Sequence, residues 1–423
     1  MRAFTLALTL VSSVLAAGCT GSEQAGVPVG TASCADVFYE GEGEPDAIIV
    51  SDLPLDGQPH PSTRAAMVRV VKGVLRQRGF RAGTYRVGYQ SCGEADSSDD
   101  AACERNATSY AAAKDVLGVI GPHYSHCAAV QIPILSRRAA GPLAMVSPTN
   151  TDPGLTLNVP YSNIDPAALY ADGVRNYVRV VPLDSAIGVV AATLAKQLGA
   201  ERVVAFVNRG ELGYDWYGPS LGAGFIETAR SLGLVTTELE WREQRSYTSI
   251  ARRAAAARPH LVFFAGHTEH NARRLLEDVR RQVGPDVVFA AGDQFLSFSP
   301  REWGPVGEGL RVAGTHLAFE SLTPAGRRFL RSVGVSPEQA FDQGPSEEAA
   351  ATEALLEAIA RSNGTRASVV EELFETRLKG GILGSFSFDR RGDITPASVG
   401  LYSIRNATVV VDGVLRVPSR PDD

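Results

Sequence analysis

Short apolar runs alternate with amphipathic stretches along most of the 423-residue chain. In its first part, apolar runs predict buried strands at 47–50, 85–89, 117–120 and 143–146. The stretches 64–78 and 107–115 carry apolar residues at helical spacing and predict helices between those strands. Continuous apolar strands separated by helices are typical of a parallel sheet that is covered on both faces.

The same alternation starts again after residue 182. Its predicted strands lie at 202–207, 261–265 and 287–291, and its predicted helices at 188–198, 222–232 and 272–283. Segments 235–241 and 250–257 extend the series, and two helices (347–362, 368–378) precede short strands at 384–388, 400–405 and 408–411. Since a single hydrophobic core stops growing at roughly 250–300 residues, the two series predict two α/β lobes of similar size.

Residues 117–156 contain two apolar strands that each run into a small turn rich in hydroxyl groups. The second of these turns carries Ser147, Thr149 and Thr151. In an open parallel sheet, ligands bind outside the carboxyl ends of the strands, where turns and helix N-termini offer backbone N–H groups. The two turns therefore predict half of a pocket for an anionic group such as a carboxylate. They carry no obvious catalytic group, which favours binding over reaction.

The N-terminus has the pattern of a targeting segment. Arg2 precedes an apolar run at 3–17 that is too short to span a membrane as a mature helix. The run ends in Leu15-Ala16-Ala17-Gly18-Cys19, which resembles the lipobox of bacterial lipoproteins, although Leu15 lies one place earlier than is typical. The resemblance implies a signal peptide at 1–18, acylation of Cys19 and a flexible tether at 19–45; an ordinary cleaved signal peptide is the alternative. No later apolar run reaches spanning length, which favours an extracytoplasmic, lipid-anchored protein.

Charge and cysteine content narrow the functional classes. The net charge is −6 and no segment forms a dominant basic stripe, which argues against nucleic-acid binding. Without Cys19 an even number of cysteines remains, and in an exported protein this predicts two disulfides with three possible pairings. The cysteine spacings contain no C-x₂-C pair, which argues against a zinc site. The remaining cysteines are Cys34, Cys92, Cys103 and Cys127.

Several motifs, in this order and spacing, resemble those of the type I periplasmic binding proteins. They are Gly118-Val119-Ile120-Gly121-Pro122, Met145-Val146-Ser147-Pro148-Thr149-Asn150-Thr151, Asn176-Tyr177-Val178-Arg179-Val180-Val181-Pro182, Gly213-Tyr214 and Gly384-Ser385-Phe386-Ser387-Phe388-Asp389. The chain is most similar to the branched-chain amino-acid (leucine/isoleucine/valine) substrate-binding components of ABC transporters, from residue 48 to about 402. The resemblance implies two Rossmann-like lobes with parallel-sheet cores, joined by three hinge crossovers near Pro182, Gly314 and Ile382. Lobe 1 would comprise 46–182 and 315–382, and lobe 2 would comprise 183–314 and 383–423.

The resemblance also implies a set of ligand contacts. Ser125 would donate its hydroxyl and backbone N–H to an amino acid's carboxylate, Thr149 would offer backbone groups and Thr151 its hydroxyl. Tyr214 would supply a ring from lobe 2, and Asp293 would accept the ligand's ammonium. His267 or Thr268 lies where the family often has an aromatic residue, and the polarity there leaves the ligand's side chain undefined.

Each of these residues also has a purely structural interpretation. Ser125 can cap its helix, Thr149 and Thr151 can bond within their own turn, Tyr214 can pack in a loop, and Asp293 can pair with an arginine. His267 and His270 are spaced for a metal, although the start of a surface helix explains them better. We therefore predict neither a metal nor a cofactor. For the disulfides, the family precedent favours Cys103–Cys127 with Cys34–Cys92, while a local Cys92–Cys103 loop stays open.

Enzyme motifs are sparse. The sequence contains no Walker loop, no H-E-x-x-H and no complete G-x-G-x-x-G after a strand. One G-x-S-x-G occurs around Ser220, but a nucleophile elbow needs that serine directly after a strand, and here a polar loop intervenes. We therefore predict a non-enzymatic, monomeric substrate-binding lipoprotein that delivers an amino acid or similar small carboxylate to an ABC permease. A sensor or envelope scaffold with the same fold is the alternative.

Overall fold

Lobe 1 is built on a six-stranded sheet. The computed structural model describes residue 29 and residues 33–55, 61–93, 99–137, 141–209, 216–269, 271–341 and 344–417. The strands are β1 (Ala47–Leu53), β2 (Arg81–Ala82), β3 (Tyr85–Gly93), β4 (Val116–Ile120), β5 (Ala144–Ser147) and β6 (Tyr177–Arg179), in the order β2-β3-β1-β4-β5-β6. All neighbours pair in parallel except β2 with β3. The predicted parallel sheet is therefore present.

Lobe 2 is built on a seven-stranded sheet. Its parallel part is β7 (Arg202–Asn208), β8 (Val235–Trp241), β9 (Leu261–Ala265), β10 (Val288–Gly292) and β11 (Arg311–Gly314). A small separate sheet follows, formed by β12 (Arg377–Gly381), β13 (Gly384–Phe388) and β14 (Ile394–Thr395). The antiparallel strands β15 (Ser398–Arg405) and β16 (Thr408–Arg416) complete the larger sheet in the order β16-β15-β11-β10-β9-β7-β8.

The helices fall into three groups along the chain. The first set is α1 (Pro61–Gln77), α2 (Asp100–Ala112), α3 (Ser125–Ser136) and α4 (Pro166–Leu169). The helices that follow β6 are α5 (Asp184–Gln197), α6 (Tyr217–Ser231), α7 (Thr248–Ala256), α8 (Ala272–Val283) and α9 (Pro300–Trp303). The last set is α10 (Pro324–Ser332), α11 (Pro337–Phe341), α12 (Pro345–Arg361) and α13 (Arg366–Phe374).

Each large sheet separates two apolar cores. In β1, Ile49 packs with residues of α1 and α12, while Ile48 and Val50 face the core formed with α2 and α3. In β7, Phe206 stacks on Phe264 with ring centroids 5.5 Å apart, and its neighbour Val207 faces the opposite core. Alternate side chains of a strand point to opposite faces, so a continuous apolar run is what a doubly covered strand requires.

Within the described residues, three chain segments cross between the lobes. The first lies between β6 and α5, and the second follows β11, where the Tyr402 hydroxyl donates to the His316 carbonyl at 2.6 Å and accepts from the Ala318 amide at 3.0 Å. The third crossover expected near Ile382 is corrected by the structure. Phe386 and Phe388 of β13 pack into the core of lobe 1, so the chain returns to lobe 2 only after β14.

Both disulfides lie in lobe 1. Cys34 is bonded to Cys92 and Cys103 to Cys127, with Cα–Cα distances of 3.9 and 5.4 Å. This is the pairing that the family resemblance implied, and the structure does not contain the local Cys92–Cys103 alternative. The second bond joins α2 to the first turn of α3. It therefore links two helices next to the hydroxyl-bearing turn after β4.

Candidate functional site

The turns after β4 and β5 are joined to each other by hydrogen bonds. Ser125 is the first residue of α3 and is half-buried, and its hydroxyl accepts from the Asp152 amide at 3.4 Å. Thr149 donates its hydroxyl to the His123 carbonyl at 2.7 Å. Ser147 similarly donates to the Pro122 carbonyl at 3.1 Å. The hydroxyls of Ser147 and Thr149 thus hold the two turns together, which supports the structural interpretation of the Thr149 side chain.

A close backbone approach fixes the turn after β4. Gly121 has φ of +120°, a conformation that residues with a Cβ rarely adopt. A Cβ at this position would lie 2.6 Å from the Asp52 carbonyl oxygen, too close for any other residue. The cis peptide bond between Gly121 and Pro122 follows directly. Glycine is therefore required where the chain turns from β4 towards Ser125.

The buried carboxyl group of Asp52 links the elements that surround the turn after β4. Asp52 accepts hydrogen bonds from Asn106 Nδ2 at 2.9 Å, Tyr110 OH at 2.9 Å and Gln131 Nε2 at 2.5 Å. Gln131 also donates to the Cys103 carbonyl at 3.3 Å, which ties the network to the disulfide. Burial raises the pKa of Asp52 to about 6, although the three donors act in the opposite direction. This network joins β1, α2 and α3.

The turn after β5 is held by a fully buried arginine. Arg179 donates from Nη1 to the carbonyls of Asn150 at 3.1 Å and Asp152 at 2.8 Å, the two residues that flank Thr151. Its Nε donates to Asp393 Oδ1 at 2.7 Å. Because the carbonyls on both sides of Thr151 are fixed, the position of Thr151 is set by the protein itself.

Asp184 lies next to Thr151 and was not among the predicted site residues. Its amide donates to the Thr151 carbonyl at 2.9 Å, and the nearby Thr151 side chain acts to lower the pKa of its carboxyl group. The side chain is buried, and its Oδ2 atom has no hydrogen-bond partner within the described part of the chain. Burial, followed by the nearby Asp293 carboxylate, raises the pKa of Asp184 to about 8. The signal that could have found it is its position two residues after Pro182, directly beyond the predicted first crossover.

Asp293 comes from lobe 2, directly after β10, and is half-buried. Tyr217 OH donates to its Oδ1 at 2.5 Å, and the amide and hydroxyl of Thr315 donate to its Oδ2 at 3.2 and 3.3 Å. These partners are uncharged, unlike the arginine of the structural interpretation. Burial and the Asp293 charge raise the pKa of Tyr217 well above its usual value. Asp293 is therefore held in place without a neutralising cation among these partners.

The structure describes only some of the remaining predicted site residues. The His267 ring packs against Tyr217 with centroids 4.8 Å apart, so it lies beside the partner of Asp293. Thr268 is buried, and its carbonyl accepts from the Ala272 amide at the start of α8, which is a structural role. Tyr214, His270 and Cys19 lie outside the described residues. Asp184 thus lies near both Thr151 and Asp293, while Tyr214 and its predicted ring lie outside the described residues.

Other chemical classes find little support among the described residues. Within them, no group of three His, Cys, Asp or Glu side chains is arranged to hold a metal ion. Ser220 is a buried residue inside α6, whereas a nucleophile elbow places its serine on an exposed turn. In the same part of the chain, no helix combines the length and apolar character needed to cross a membrane.

Comparison with known proteins gives a fold but no sequence family. No family model matches the sequence, and no curated protein matches it. The leucine-binding protein LivK of Thermotoga maritima MSB8 superposes with a TM-score of 0.64 at 22% identity, covering 87% of this chain and 98% of that one. An ABC transporter substrate-binding protein of Desulfitobacterium hafniense gives 0.69 at 19% identity, with 86% and 99% covered. A solute-binding protein of Rhodopseudomonas palustris HaA2, in complex with p-hydroxybenzoic acid, gives 0.65 at 15% identity, with 89% and 98% covered.

These likenesses define the class of fold. The chain has the two-lobed α/β fold of the type I periplasmic binding proteins, as its motifs predicted. Its structural neighbours include branched-chain amino-acid binding components of ABC transporters, and they are solute-binding proteins rather than enzymes. At these identities the likeness establishes architecture, and the ligand has to be argued from the residues of this chain.

Proposed function

We propose that this protein is an extracytoplasmic substrate-binding lipoprotein that captures an amino acid between its lobes and delivers it to an ABC importer. The observation that supports this proposal is the position of Asp184, whose amide bonds to the Thr151 carbonyl and whose carboxyl group lies near that of Asp293. Two carboxyl groups from different chain segments thus lie close together, and one carboxyl oxygen of Asp184 has no hydrogen-bond partner within the described residues. An ammonium group is the ligand group that satisfies such acceptors.

The carboxylate end of the ligand would bind at the turns after β4 and β5. The N-terminus of α3 at Ser125 directs backbone N–H groups and the positive end of the helix dipole towards an anion. A zwitterion removed from water needs both of its ends satisfied, because an unpaired charge is costly to bury. Hydrogen bonds to charged groups contribute about 1.5–3 kcal/mol each, so four or five of them, less the cost of lobe closure, support roughly micromolar affinity.

The acidic pair favours an amino acid over a simple aromatic carboxylate. Some structural neighbours were solved with leucine or isoleucine and others with benzoate or 4-hydroxybenzoate. Benzoate carries no ammonium, so in this chain it would leave the carboxylate of Asp293 without a cation. Placing an anionic ligand beside an unpaired carboxylate is unfavourable.

Binding is tested by isothermal titration calorimetry with a panel of L-amino acids and benzoate. Asp293→Asn should weaken binding of the best amino acid by about tenfold or more, because a charged hydrogen bond to the ammonium is lost. Asp286→Asn, an exposed change in the same lobe, is the matched control and should leave affinity unchanged. Equal affinities of the two variants would refute the ammonium site. Binding of benzoate but of no amino acid would refute the ligand class.

Anchoring and delivery need separate measurements. The segment before Cys19 lies outside the described residues, so lipidation rests on its likeness to a lipobox. Incorporation of labelled palmitate into the wild-type chain, and its loss in Cys19→Ser, would support the anchor. Uptake of the bound amino acid by cells with and without this gene tests delivery, and unchanged uptake would favour a sensor or scaffold.

A further inference from the structure

A cavity lies beside Asp293, the residue proposed to bind the ligand's ammonium. It has a volume of about 180 Å³, and Asp293 and Gly314 are among its lining residues. Asp293 accepts from Tyr217 at Oδ1 and from Thr315 at Oδ2, and His316, the neighbour of Thr315, also lines the cavity. A ligand held by its carboxylate and its ammonium has its third substituent free to enter this space.

The cavity combines an apolar surface with an anionic rim. Phe341 of lobe 1 and Tyr402 of lobe 2 meet edge to face there, with ring centroids 5.1 Å apart, and Leu296 lies beside them. Glu338 is exposed and borders the cavity from α11. Hydrogen bonds from its own backbone amide and from the Ser336 hydroxyl hold the pKa of Glu338 below its usual range, so it is ionised at neutral pH.

His316, another titratable residue that lines the cavity, does not repel a bound cation. His316 places Nδ1 3.4 Å from Oε1 of Glu347, a buried residue near the start of α12. A positive charge on the His316 ring is therefore matched by Glu347. Among the described residues that line the cavity, the carboxylates of Asp293 and Glu338 are the charges without a cationic partner.

The size of the cavity limits what can enter it. A cavity of about 150 Å³ accommodates benzene, a group of six non-hydrogen atoms. The five-atom side chain of lysine is therefore accommodated in a space of 180 Å³. An apolar surface that ends at a carboxylate complements a methylene stem that ends in an ammonium group.

We propose that this cavity is the side-chain pocket and that it selects a basic amino acid of lysine type, with Glu338 as the specificity-determining residue. This inference rests on the proposed function and names the substrate class of the same site. The methylene groups would pack on Phe341 and Tyr402, and the terminal ammonium would pair with Glu338 when the lobes close.

The test compares L-lysine with L-norleucine, which has the same stem but no terminal ammonium, by calorimetry on the full chain. Lysine should bind about tenfold more tightly, the worth of one charged hydrogen bond. Glu338→Gln should reduce the preference to below about threefold and leave norleucine affinity unchanged. Glu104→Gln, an exposed change on α2, is the matched control and should keep the full preference.

The outcomes separate this inference from the proposed function. Norleucine or leucine binding as tightly as lysine, or an unchanged preference in Glu338→Gln, would overturn the lysine-type pocket while amino-acid binding stands. If none of these amino acids binds the wild-type protein, the proposed function fails as well. Glu338 is exposed, so its substitution should not alter folding, and equal melting temperatures of both variants would verify this.

Discussion

Arg179 donates from Nε to Oδ1 of Asp393 at 2.7 Å, although its own side chain is fully buried. The two residues are 214 positions apart and join the end of β6 to the turn before β14. The same guanidinium donates to the two carbonyls that flank Thr151. A rigid, planar group with five donors is suited to this task, because it can serve several acceptors in fixed directions at once. The proposed binding turn is thus ordered before any ligand arrives.

Replacing Arg179 with lysine should destabilise the protein by about 2–4 kcal/mol. Lysine keeps the charge but cannot reach Asp393 and both carbonyls together, so buried acceptors are left unsatisfied. Urea denaturation followed by circular dichroism measures the loss. Arg252→Lys, an exposed change on α7, should stay within about 0.5 kcal/mol of the wild type. Similar losses in both variants would show that the buried network contributes nothing specific.

Asp184 should make stability depend on pH. Its pKa is about 8 in the folded protein and about 4 in an unfolded chain, so between these values the folded state holds a proton that the unfolded state has released. The stabilisation is complete below pH 4 and is lost as the pH rises towards 8. Asp184→Asn does not titrate, so the wild type should lose stability relative to this variant by up to about 1.4 kcal/mol per pH unit.

Denaturation midpoints of the wild type and Asp184→Asn at pH 5, 6, 7 and 8 check this dependence. Asp52 and Asp152, which also have pKa values raised to about 6 by burial, titrate in both proteins, so their contributions cancel in the comparison. Asp286→Asn, an exposed change in the same lobe, is the matched control. A constant difference for Asp184→Asn would contradict the raised pKa.

The two disulfides should differ in their effect on ligand binding. Loop-closure entropy predicts a loss of about 3 kcal/mol for Cys103→Ser/Cys127→Ser and about 4 kcal/mol for Cys34→Ser/Cys92→Ser, whose sequence separations are 24 and 58. Only the Cys103–Cys127 bond includes a residue of the helix that begins at Ser125, so only its removal should also weaken amino-acid binding. Calorimetry at a temperature where both variants are folded gives the comparison. Equal affinities would show that the bond does not position the turn.

Local sequence predicted most of the elements closely, and the exceptions depend on distant contacts. The predicted strand at 261–265 and the predicted helix at 272–283 have the bounds of β9 and α8, because each is a clear apolar pattern. The predicted helix at 222–232 instead begins at Tyr217. Gly218 lies so close to β7 that a Cβ there would be 2.3 Å from the Asn208 carbonyl, a packing constraint that a local pattern does not contain.

Strand pairing and core packing explain the other differences between the predicted and the observed elements. The predicted helix at 368–378 ends at Phe374, since residues from Arg377 onwards pair with β13 in a sheet. The third crossover lies beyond its expected place because Phe386 and Phe388 pack in lobe 1. Asp184 was missed for a related reason: its proximity to Asp293, which lies far along the chain, exists only in the folded lobe 2.

The sequence by itself determined the alternation of strands and helices, the two-lobed class of fold and the hydroxyl-bearing turns, because these follow from periodicity, turn chemistry and ordered motifs. Only the tertiary structure decided which hydroxyls are available. Thr149 and Ser147 bond to carbonyls of the neighbouring turn, while Thr151 is held by Arg179 beside Asp184. It also decided that Asp293 faces a cavity rimmed by Glu338. Burial, pKa and cavity shape arise from residues far apart in the chain, and their proximity is a property of the folded molecule.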